Sequence, residues 1–338
     1  MRFFSNYHSI APMKIIAATH SNLPRVGDKQ EEQKLRRAYA KLEKKQINQD
    51  EFEDIRAELI RELISIQKSS GCGLVTDGMI RWYDHASHMA AHLSGFEING
   101  LLRFFDTNYY FRQPIAGDNI AEGSGGLAEE AAFAVSQAGC PVKAVILGPY
   151  SLARMSQNRT SMDFGSFCRR LADILAVEAG RLASKGIDYV QIEEPAFVRE
   201  PRDFELLKDA IGRIARNKGQ AKLILTFYFG DCAAILDRLA EIDADMFGLD
   251  FSYSPGLTDR LKKYGFEKTL SLGILDGRNT KLENPDDLAG KLSGILEKLE
   301  GEECHITTSS GLEYLPRDYA IKKLELTSRV AALLNGKG

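Results

Sequence analysis

Two adjacent carboxylates end the apolar run YVQIEEP at residues 189–195. Successive side chains of a β-strand point to opposite faces, so Gln191 and Glu193 share one face and Glu194 lies on the other. Carboxylates at the end of a buried strand can bind a substrate ammonium group or carry out acid–base chemistry. The alternative is a structural ion pair with a neighbouring arginine or lysine. We favour a functional site.

The ends of most other predicted strands also carry polar side chains. If these strands form a parallel barrel, their C-terminal ends meet on the face where such barrels do chemistry. This is far more polarity than closing a barrel requires, so we predict that these residues line one site. They are Thr19, His20 and Ser21 at the end of the first strand, Asp77 at the end of the second, Thr226 and Tyr228 at the end of the fifth, Asp250 at the end of the sixth, and Ser309 and Ser310 at the end of the eighth.

The segment DGRN at residues 276–279 follows the seventh strand. Asp276 offers a carboxylate, Arg278 a guanidinium suited to binding a carboxylate or phosphate, and Asn279 an amide. The same residue types are common in ordinary turns. Both interpretations stay open from the sequence.

Three of the six histidines, His85, His88 and His92, occur at helical spacing behind Asp84. Such spacing can place metal ligands on one helix face. Histidines on helices also pack and cap, and a catalytic zinc draws its ligands from converging strand ends. We therefore predict no metal ligand in this chain and assign no role to these three residues.

Three further motifs are weaker signals. Cys304 and His305 begin the eighth strand, where neighbours point to opposite sides, and are interpreted as structural. The glycine-rich GSGG (123–126) is predicted to be a flexible turn. The aromatic residues Trp82, Tyr83 and FFDTNYYF (104–111) can stack on a flat ring or simply pack together, and packing is favoured.

Eight short β-type runs alternate with amphipathic, charge-rich segments. This alternation predicts an α/β fold, a single (β/α)8 TIM barrel over residues 13–338, rather than an open doubly wound sheet. A helical pair precedes the second strand, and residues 79–141 form an excursion with a hairpin. The predicted strands span 14–19, 73–78, 142–150, 189–195, 222–229, 246–252, 269–275 and 304–310.

The composition is that of an ordinary globular protein, with 44% hydrophobic and 27% charged residues in 338. The net charge of −3 gives no electrostatic footprint for nucleic acid or an anionic membrane. Five scattered cysteines indicate thiols in a reducing compartment, and we expect a cytoplasmic protein. Residues 1–12 are interpreted as an N-terminal extension.

Together, VQIEEPAF, LILTFYFGD, IDADMFGLDFSYS, TLSLGILDGRNTK and SSGLEYLP resemble the cobalamin-independent methionine synthase family. The full-length enzyme of that family is a pair of (β/α)8 barrels, of which the C-terminal one binds zinc, homocysteine and methylfolate. This chain has the length of one barrel. Its TFYFGD and SLGILDGRN resemble the N-terminal barrel, which has lost the metal.

The resemblance also implies that the family zinc site is missing. The positions that match the family's zinc ligands hold Thr226, Tyr228, Asp250 and Ser310. Zinc is bound by thiolate, imidazole and carboxylate groups, so only Asp250 is an ordinary donor. We therefore expect this chain to bind no zinc there and no other cofactor.

Other family positions match better. His20 and Ser21 correspond to a loop that contacts the amino acid's carboxylate, and Glu193 to the acidic residue that binds its ammonium. Gly148, Pro149 and Tyr150 match a turn near the pterin, and Trp82 is assigned to the same cofactor surface. Glu193, Asp250, Tyr228 and Asp77 are the predicted catalytic residues, and the remaining strand-end residues, with Gln191 and Glu194, are predicted to bind substrate.

The predicted function is methyl transfer to a homocysteine-like amino acid in partnership with a separate zinc-bearing barrel. The methyl donor is left open among methylfolate, another methylpterin and a methyl-corrinoid protein. Two alternatives remain: metal-free methyl transfer or decarboxylation of another substrate, and a non-catalytic binding or scaffold subunit.

Overall fold

A computed structural model describes residues 13–336, so the predicted extension at 1–12 lies outside the described residues. The strands in this part of the chain are β1 Lys14–Ala17, β2 Ser94–Arg103, β3 Tyr110–Ala121, β4 Lys143–Leu147, β5 Gln157–Asn158, β6 Tyr189–Glu193, β7 Lys222–Phe227, β8 Met246–Asp250, β9 Thr269–Leu275 and β10 Glu303–Thr308.

Helices alternate with these strands. They are α1 Lys34–Glu43, α2 Gln49–Ser69, α3 His85–Ala91, α4 Gly126–Ala138, α5 Pro149–Met155, α6 Phe164–Ser184, α7 Pro195–Arg199, α8 Phe204–Ala215, α9 Leu236–Leu239, α10 Leu257–Tyr264, α11 Pro285–Leu296 and α12 Arg317–Leu334.

Seven parallel strands form one curled sheet in the order β1-β10-β9-β8-β7-β6-β4. The remaining gap is bridged by residues 74 and 75, because Leu74 pairs with Ala18 beyond β1 and Val75 pairs with Val142 before β4, both in parallel. The second predicted strand, 73–78, is therefore present only as a short bridging segment. The α/β barrel predicted from the sequence is confirmed.

Every predicted strand except 269–275 ends earlier than predicted, and in two of them a proline is the reason. The run 142–150 stops at Leu147 and the run 189–195 stops at Glu193, because Pro149 and Pro195 begin helices α5 and α7. Proline has a fixed φ and no N–H, which suits the first turn of a helix. The amphipathic segment at 232–242 does not form one helix, because it contains a 3-10 turn at Cys232–Ala234 and the short α9. Helix α10 was not predicted.

The helical pair and the excursion are both present. Helices α1 and α2 pack together, and α2 begins with a capping box in which Asn48 and Glu51 bond each other's backbone N–H groups. In the excursion, β2 and β3 form an antiparallel hairpin, and the short β5 extends it in parallel. Helix α3 precedes this hairpin and packs against both of its strands.

Every second residue of each barrel strand faces the interior of the barrel. Ala18, Leu74, Tyr189, Ile224 and Met246 pack together there. Near the strand starts, the Tyr189 hydroxyl and Lys222 contact Glu303. At the C-terminal strand ends, here called the barrel mouth, the buried residues are again polar. None of the helices in the described part of the chain combines the length and apolarity that a bilayer span requires.

Candidate functional site

Glu193 is the centre of the polar cluster at the barrel mouth. It ends β6 and is 0% exposed. Tyr228 donates its hydroxyl proton to Oε2 at 2.8 Å, and Gln191 donates from Nε2 to Oε1 at 3.0 Å. Nδ1 of His85 lies 3.0 Å from Oε2, although its N–H is poorly aligned for a hydrogen bond. Nδ1 of His20 also lies 3.7 Å from Oε1, so four side chains surround this carboxylate.

The cluster holds one ion pair and one neutral histidine. Burial alone would raise the pKa of Glu193, but the charge of His85 and the hydrogen bond from Tyr228 lower it to about 2. Burial likewise opposes the charge on His85, yet Glu193 and Glu313 raise the pKa of that imidazole to about 10. Burial lowers the pKa of His20 to about 3. At neutral pH the site contains anionic Glu193, cationic His85 and neutral His20.

A buried lysine supports the cluster from below. Lys143, at the start of β4, donates from Nζ to Oε1 of Gln191 at 2.6 Å, and Gln191 in turn donates a hydrogen bond to Glu193. Burial lowers the pKa of Lys143 to about 7 against the attraction of Glu193. Lys143 was not predicted as a site residue, because it lies at the start of its strand and the predicted site residues lie at strand ends. The available signal was a lysine inside the apolar run VKAVILGPY.

His85 also forms the floor of a second space, which we call the aromatic cleft. Its cavity volume is about 40 Å³. Phe104 stacks on His85 with ring centroids 5.7 Å apart, and Trp82 packs its edge against the same ring at 5.6 Å. The cleft is therefore joined to Glu193 through one imidazole. Its aromatic walls are Trp82, Tyr83, Phe104, Tyr109, Tyr110, Phe111 and Tyr314, and its polar groups include Asn22, Arg25, Asp84 and Glu313.

The tip of the β2–β3 hairpin covers the barrel mouth. Asp106 at the tip forms ion pairs with Arg199 at 3.5 Å and with Arg278 at 3.4 Å. It also accepts a hydrogen bond from the Tyr253 hydroxyl at 3.1 Å. Tyr109 donates its hydroxyl proton to the backbone carbonyl of Glu313. These contacts hold the tip over the mouth, where Glu193 is buried.

The residues that match the family's zinc ligands are engaged in other contacts. The Asp250 carboxylate accepts backbone N–H groups of Phe229 at 3.1 Å and Ser252 at 2.7 Å, and burial raises its pKa to about 7. Tyr228 is bonded to Glu193, as described above. Ser310 donates to the backbone carbonyl of Gly311 at 3.3 Å. The fourth residue, Thr226, is buried against Gly248. A Cβ added at Gly248 would lie 2.5 Å from Oγ1 of Thr226.

Several predicted site residues lie elsewhere. Glu194 faces away from the mouth and accepts backbone N–H groups of Tyr150 at 3.0 Å and Ser151 at 2.7 Å. It therefore binds the first turn of α5, which contains the Gly148–Pro149–Tyr150 turn. Burial raises the pKa of Glu194 to about 7 despite these hydrogen bonds. Asp77 points into the helix layer, where it shares a cavity with Glu130, and burial raises its pKa to about 6.

The loops around the mouth hold the remaining predicted residues. His20 and Ser21 contact each other, with Nδ1 and Oγ 3.0 Å apart. Arg278 reaches the hairpin tip and lies over the Phe229 ring, 4.9 Å from its centroid. Asp276 accepts the backbone N–H of Arg278 and contacts Asn279, as a turn residue does. Ser309 accepts the backbone N–H of Gly277 at 3.1 Å. The DGRN segment thus combines both interpretations, a turn that also supplies a rim arginine.

The three histidines of the α3 region separate into two groups. His85 belongs to the mouth, whereas His88 and His92 contact Glu130 on α4. The aromatic residues of the excursion likewise do two things, since they pack on one another and line the cleft. Trp82 stacks on His88 with centroids 4.6 Å apart, so one of its faces is already covered.

Comparison with known proteins gives a consistent result. The family described as "Cobalamin-independent synthase, N-terminal domain" matches residues 96–300. A methionine synthase of Saccharolobus solfataricus is 30% identical over 259 residues, covering 75% of this chain and 77% of that protein. A methionine synthase of Sulfolobus acidocaldarius is 26% identical over 282 residues, covering 82% of this chain and 81% of that protein.

Two solved structures have the same fold. A B12-independent methionine synthase from Shewanella sp. W3-18-1, in complex with selenomethionine, superposes with a TM-score of 0.79 at 18% identity, covering 95% of this chain and 98% of that one. A putative vitamin-B12 independent methionine synthase from Listeria monocytogenes gives a TM-score of 0.73 at 16% identity, with coverage of 96% and 99%. At these identities the likeness establishes the fold.

Proposed function

The chain belongs to the cobalamin-independent methionine synthase family, and on this premise we propose that it takes part in methyl transfer to homocysteine, in methionine biosynthesis, together with a separate zinc-bearing barrel. The observation that carries the proposal is the set of side chains at the family's zinc positions. Thr226, Tyr228 and Ser310 supply hydroxyls, and Asp250 is held by backbone N–H groups.

Zinc is central to the argument because homocysteine reacts as a thiolate. A free thiol has a pKa near 8.5, so it is mostly protonated at neutral pH, and bound zinc deprotonates it. The hydroxyl-rich set at the mouth offers no comparable donor group. A zinc-bearing relative would therefore supply the activated thiolate, and this chain would contribute a binding surface.

The aromatic cleft is the surface that we assign to the methyl donor. Its rings suit a flat heterocycle such as a pterin, and Asn22, Arg25 and Glu313 add polar groups at its edge. The amino-acid pocket would be formed by Glu193 with His20 and Ser21. An incoming ammonium group would replace His85 beside Glu193, which preserves the charge balance of the buried carboxylate.

A reconstitution experiment tests the proposal. The purified chain, a zinc-bearing barrel of the same family from the same genome, and the mixture are each assayed for methionine formation from homocysteine and a methylated pterin. We expect activity in the mixture well above that of either protein alone, and co-elution of the two chains. Turnover of homocysteine by this chain alone, or zinc that is lost on Asp250→Asn, would contradict it.

Metal-free catalysis is the second candidate, because the mouth holds a buried ion pair and a lysine with a pKa near neutrality lies below it. Such groups are typical of acid–base sites. This candidate predicts turnover of another substrate, by methyl transfer or decarboxylation, without a partner protein. Glu193→Gln would abolish that turnover, whereas Ser136→Ala on the exposed surface of α4 would leave it unchanged.

A further inference from the structure

A cluster of metal-binding residue types lies outside the barrel mouth. His88 on α3 and His92 just after it are four residues apart, so they share one face of the helix. Nε2 of His88 lies 2.9 Å from Oε2 of Glu130, and Nε2 of His92 lies 3.3 Å from Oε1 of the same residue. Within residues 13–336, this is the only group of three or more histidine, cysteine or acidic side chains whose ligand atoms all lie within 4.8 Å of one another.

These distances suit a tetrahedral ion. Bonds of about 2.1 Å to a tetrahedral zinc ion place neighbouring ligand atoms about 3.4 Å apart. Two imidazoles and one carboxylate leave the fourth position for water. An imidazole binds a metal in its neutral form. Imidazole-rich sets favour zinc and the neighbouring transition metals over magnesium or calcium.

The surroundings fix both imidazole rings. His88 stacks on Trp82 at an interplanar angle of 21°. His92 is enclosed by the GSGG segment, where an added Cβ at Gly126 would meet its Nδ1 at 2.4 Å and one at Gly123 would meet its backbone oxygen. The glycines predicted to be a flexible turn therefore make room for one particular histidine. The side chains of His88 and Glu130 are 9% and 16% exposed, and that of His92 is 23% exposed, so the cluster is enclosed but reachable.

We propose that His88, His92 and Glu130 bind one divalent transition-metal ion of the zinc class, which ties α3 to α4. The site is distinct from the positions that match the family's zinc ligands, because Glu130 is on α4 and the histidines are on the outer helix layer. It also has a consequence for the mouth. His85 is on the same helix, so an ion that fixes α3 also holds His85 beside Glu193.

Metal titration of the full-length, untagged chain tests this site. The protein is stripped with a chelator and titrated with Co²⁺, whose visible absorption reports tetrahedral nitrogen and oxygen ligation, and Zn²⁺ is then used as a competitor. We expect one equivalent to bind saturably. His92→Gln should weaken binding by more than about 100-fold, because it removes a direct ligand, and circular dichroism checks that this variant is folded.

Two further variants locate the ion. Gly126→Ala keeps all three ligands but forces the His92 ring to move, so we expect about 10–100-fold weaker binding. Asp250→Asn is the matched control at the family's zinc position and should bind Co²⁺ as tightly as the unaltered chain. These outcomes do not depend on methyl transfer, so the site can be confirmed even if the proposed function fails.

The proposal is overturned by any of three results. The stripped chain fails to bind Co²⁺ or Zn²⁺ saturably, in which case the two imidazoles simply donate hydrogen bonds to Glu130. His92→Gln binds the metal as well as the unaltered chain does. Asp250→Asn abolishes binding, which would place the ion at the mouth.

Discussion

Nδ1 of His85 lies 3.0 Å from Oε2 of Glu193, although the two residues are far apart in the chain. The contact joins α3, in the excursion, to β6 of the barrel. Because both groups are buried, removing either partner would leave an uncompensated charge in the interior. The pair therefore couples the position of α3 to the chemistry of the barrel mouth.

The first prediction concerns the titration of His85. Glu193→Gln removes the charge that offsets burial, so the pKa of His85 should fall from about 10 by about 2 units or more. Histidine NMR signals followed from pH 5 to pH 10 measure this directly. Glu130→Gln is the control, since it should alter the signals of His88 and His92 and leave His85 unchanged. An unaltered His85 titration in Glu193→Gln would contradict the ion pair.

The same pair sets a pH window for stability. The pKa of His85 is raised on folding, so its contribution is fully present below about pH 6.5 and is lost as the pH rises through about 10. The pKa of Glu193 is lowered, so its contribution is present above about pH 4.5 and is lost as the pH falls through about 2. The pair therefore stabilises the fold most between about pH 4.5 and about pH 6.5.

Lys143 gives a prediction of opposite sign. Its pKa falls from 10.5 to about 7 on folding, so between these values the unfolded chain holds a proton that the folded chain lacks. The stability contribution of Lys143 therefore rises with pH across this window and is least favourable below about pH 7. The free energy of unfolding of Lys143→Met minus that of the unaltered chain should be larger at pH 7 than at pH 9, by up to about 1.4 kcal/mol per pH unit.

Urea unfolding at pH 7, 8 and 9 measures this difference. Lys208→Met, on the exposed surface of α8, corrects for the general effect of removing one positive charge. A difference between Lys143→Met and the unaltered chain that stays constant over the three pH values would show that Lys143 keeps its charge inside the barrel.

The third prediction concerns the hairpin tip. Asp106→Asn removes the ion pairs to Arg199 and Arg278, which are partly exposed and worth about 0–1 kcal/mol each. We expect amide hydrogen exchange at residues 104–111 to become up to about tenfold faster, because the tip opens more often. Glu97→Gln, on the exposed part of the same hairpin, should leave exchange unchanged. Equal exchange in both variants would mean that the aromatic contacts alone hold the tip.

The fourth prediction separates Glu194 from Glu193. The Ser151 hydroxyl donates to Glu194 at 2.6 Å and accepts the backbone N–H of Ala196 at 3.1 Å, so it connects α5 to α7 inside the protein. Ser151→Ala leaves both partners short of a hydrogen bond and should lower the free energy of unfolding by about 1–3 kcal/mol. The exposed Ser136→Ala should change it by less than about 0.5 kcal/mol. Similar values for the two variants would indicate that water replaces the hydroxyl.

Much of the barrel was predictable because its strands are local patterns. The run TLSLGIL forms β9 over its full predicted length, and the alternation of side chains correctly placed Gln191 and Glu193 on one face and Glu194 on the other. Proline was the signal that was underused, since Pro149 and Pro195 end two strands by beginning helices. Helix α10 is short and polar, and its amphipathic pattern was overlooked.

The succession of strands along the chain, the polarity of their ends and the absence of soft donors at Thr226, Tyr228 and Ser310 can be read from residue type and from a period of two. The folded chain was needed to show that His85 turns to Glu193 while His88 and His92 turn to Glu130. It was also needed to show that Lys143 contacts Gln191 from below and that Asp106 lies over the mouth. Such contacts depend on how a helix and a hairpin inserted between two strands pack back onto the barrel, and helical spacing alone does not encode that packing.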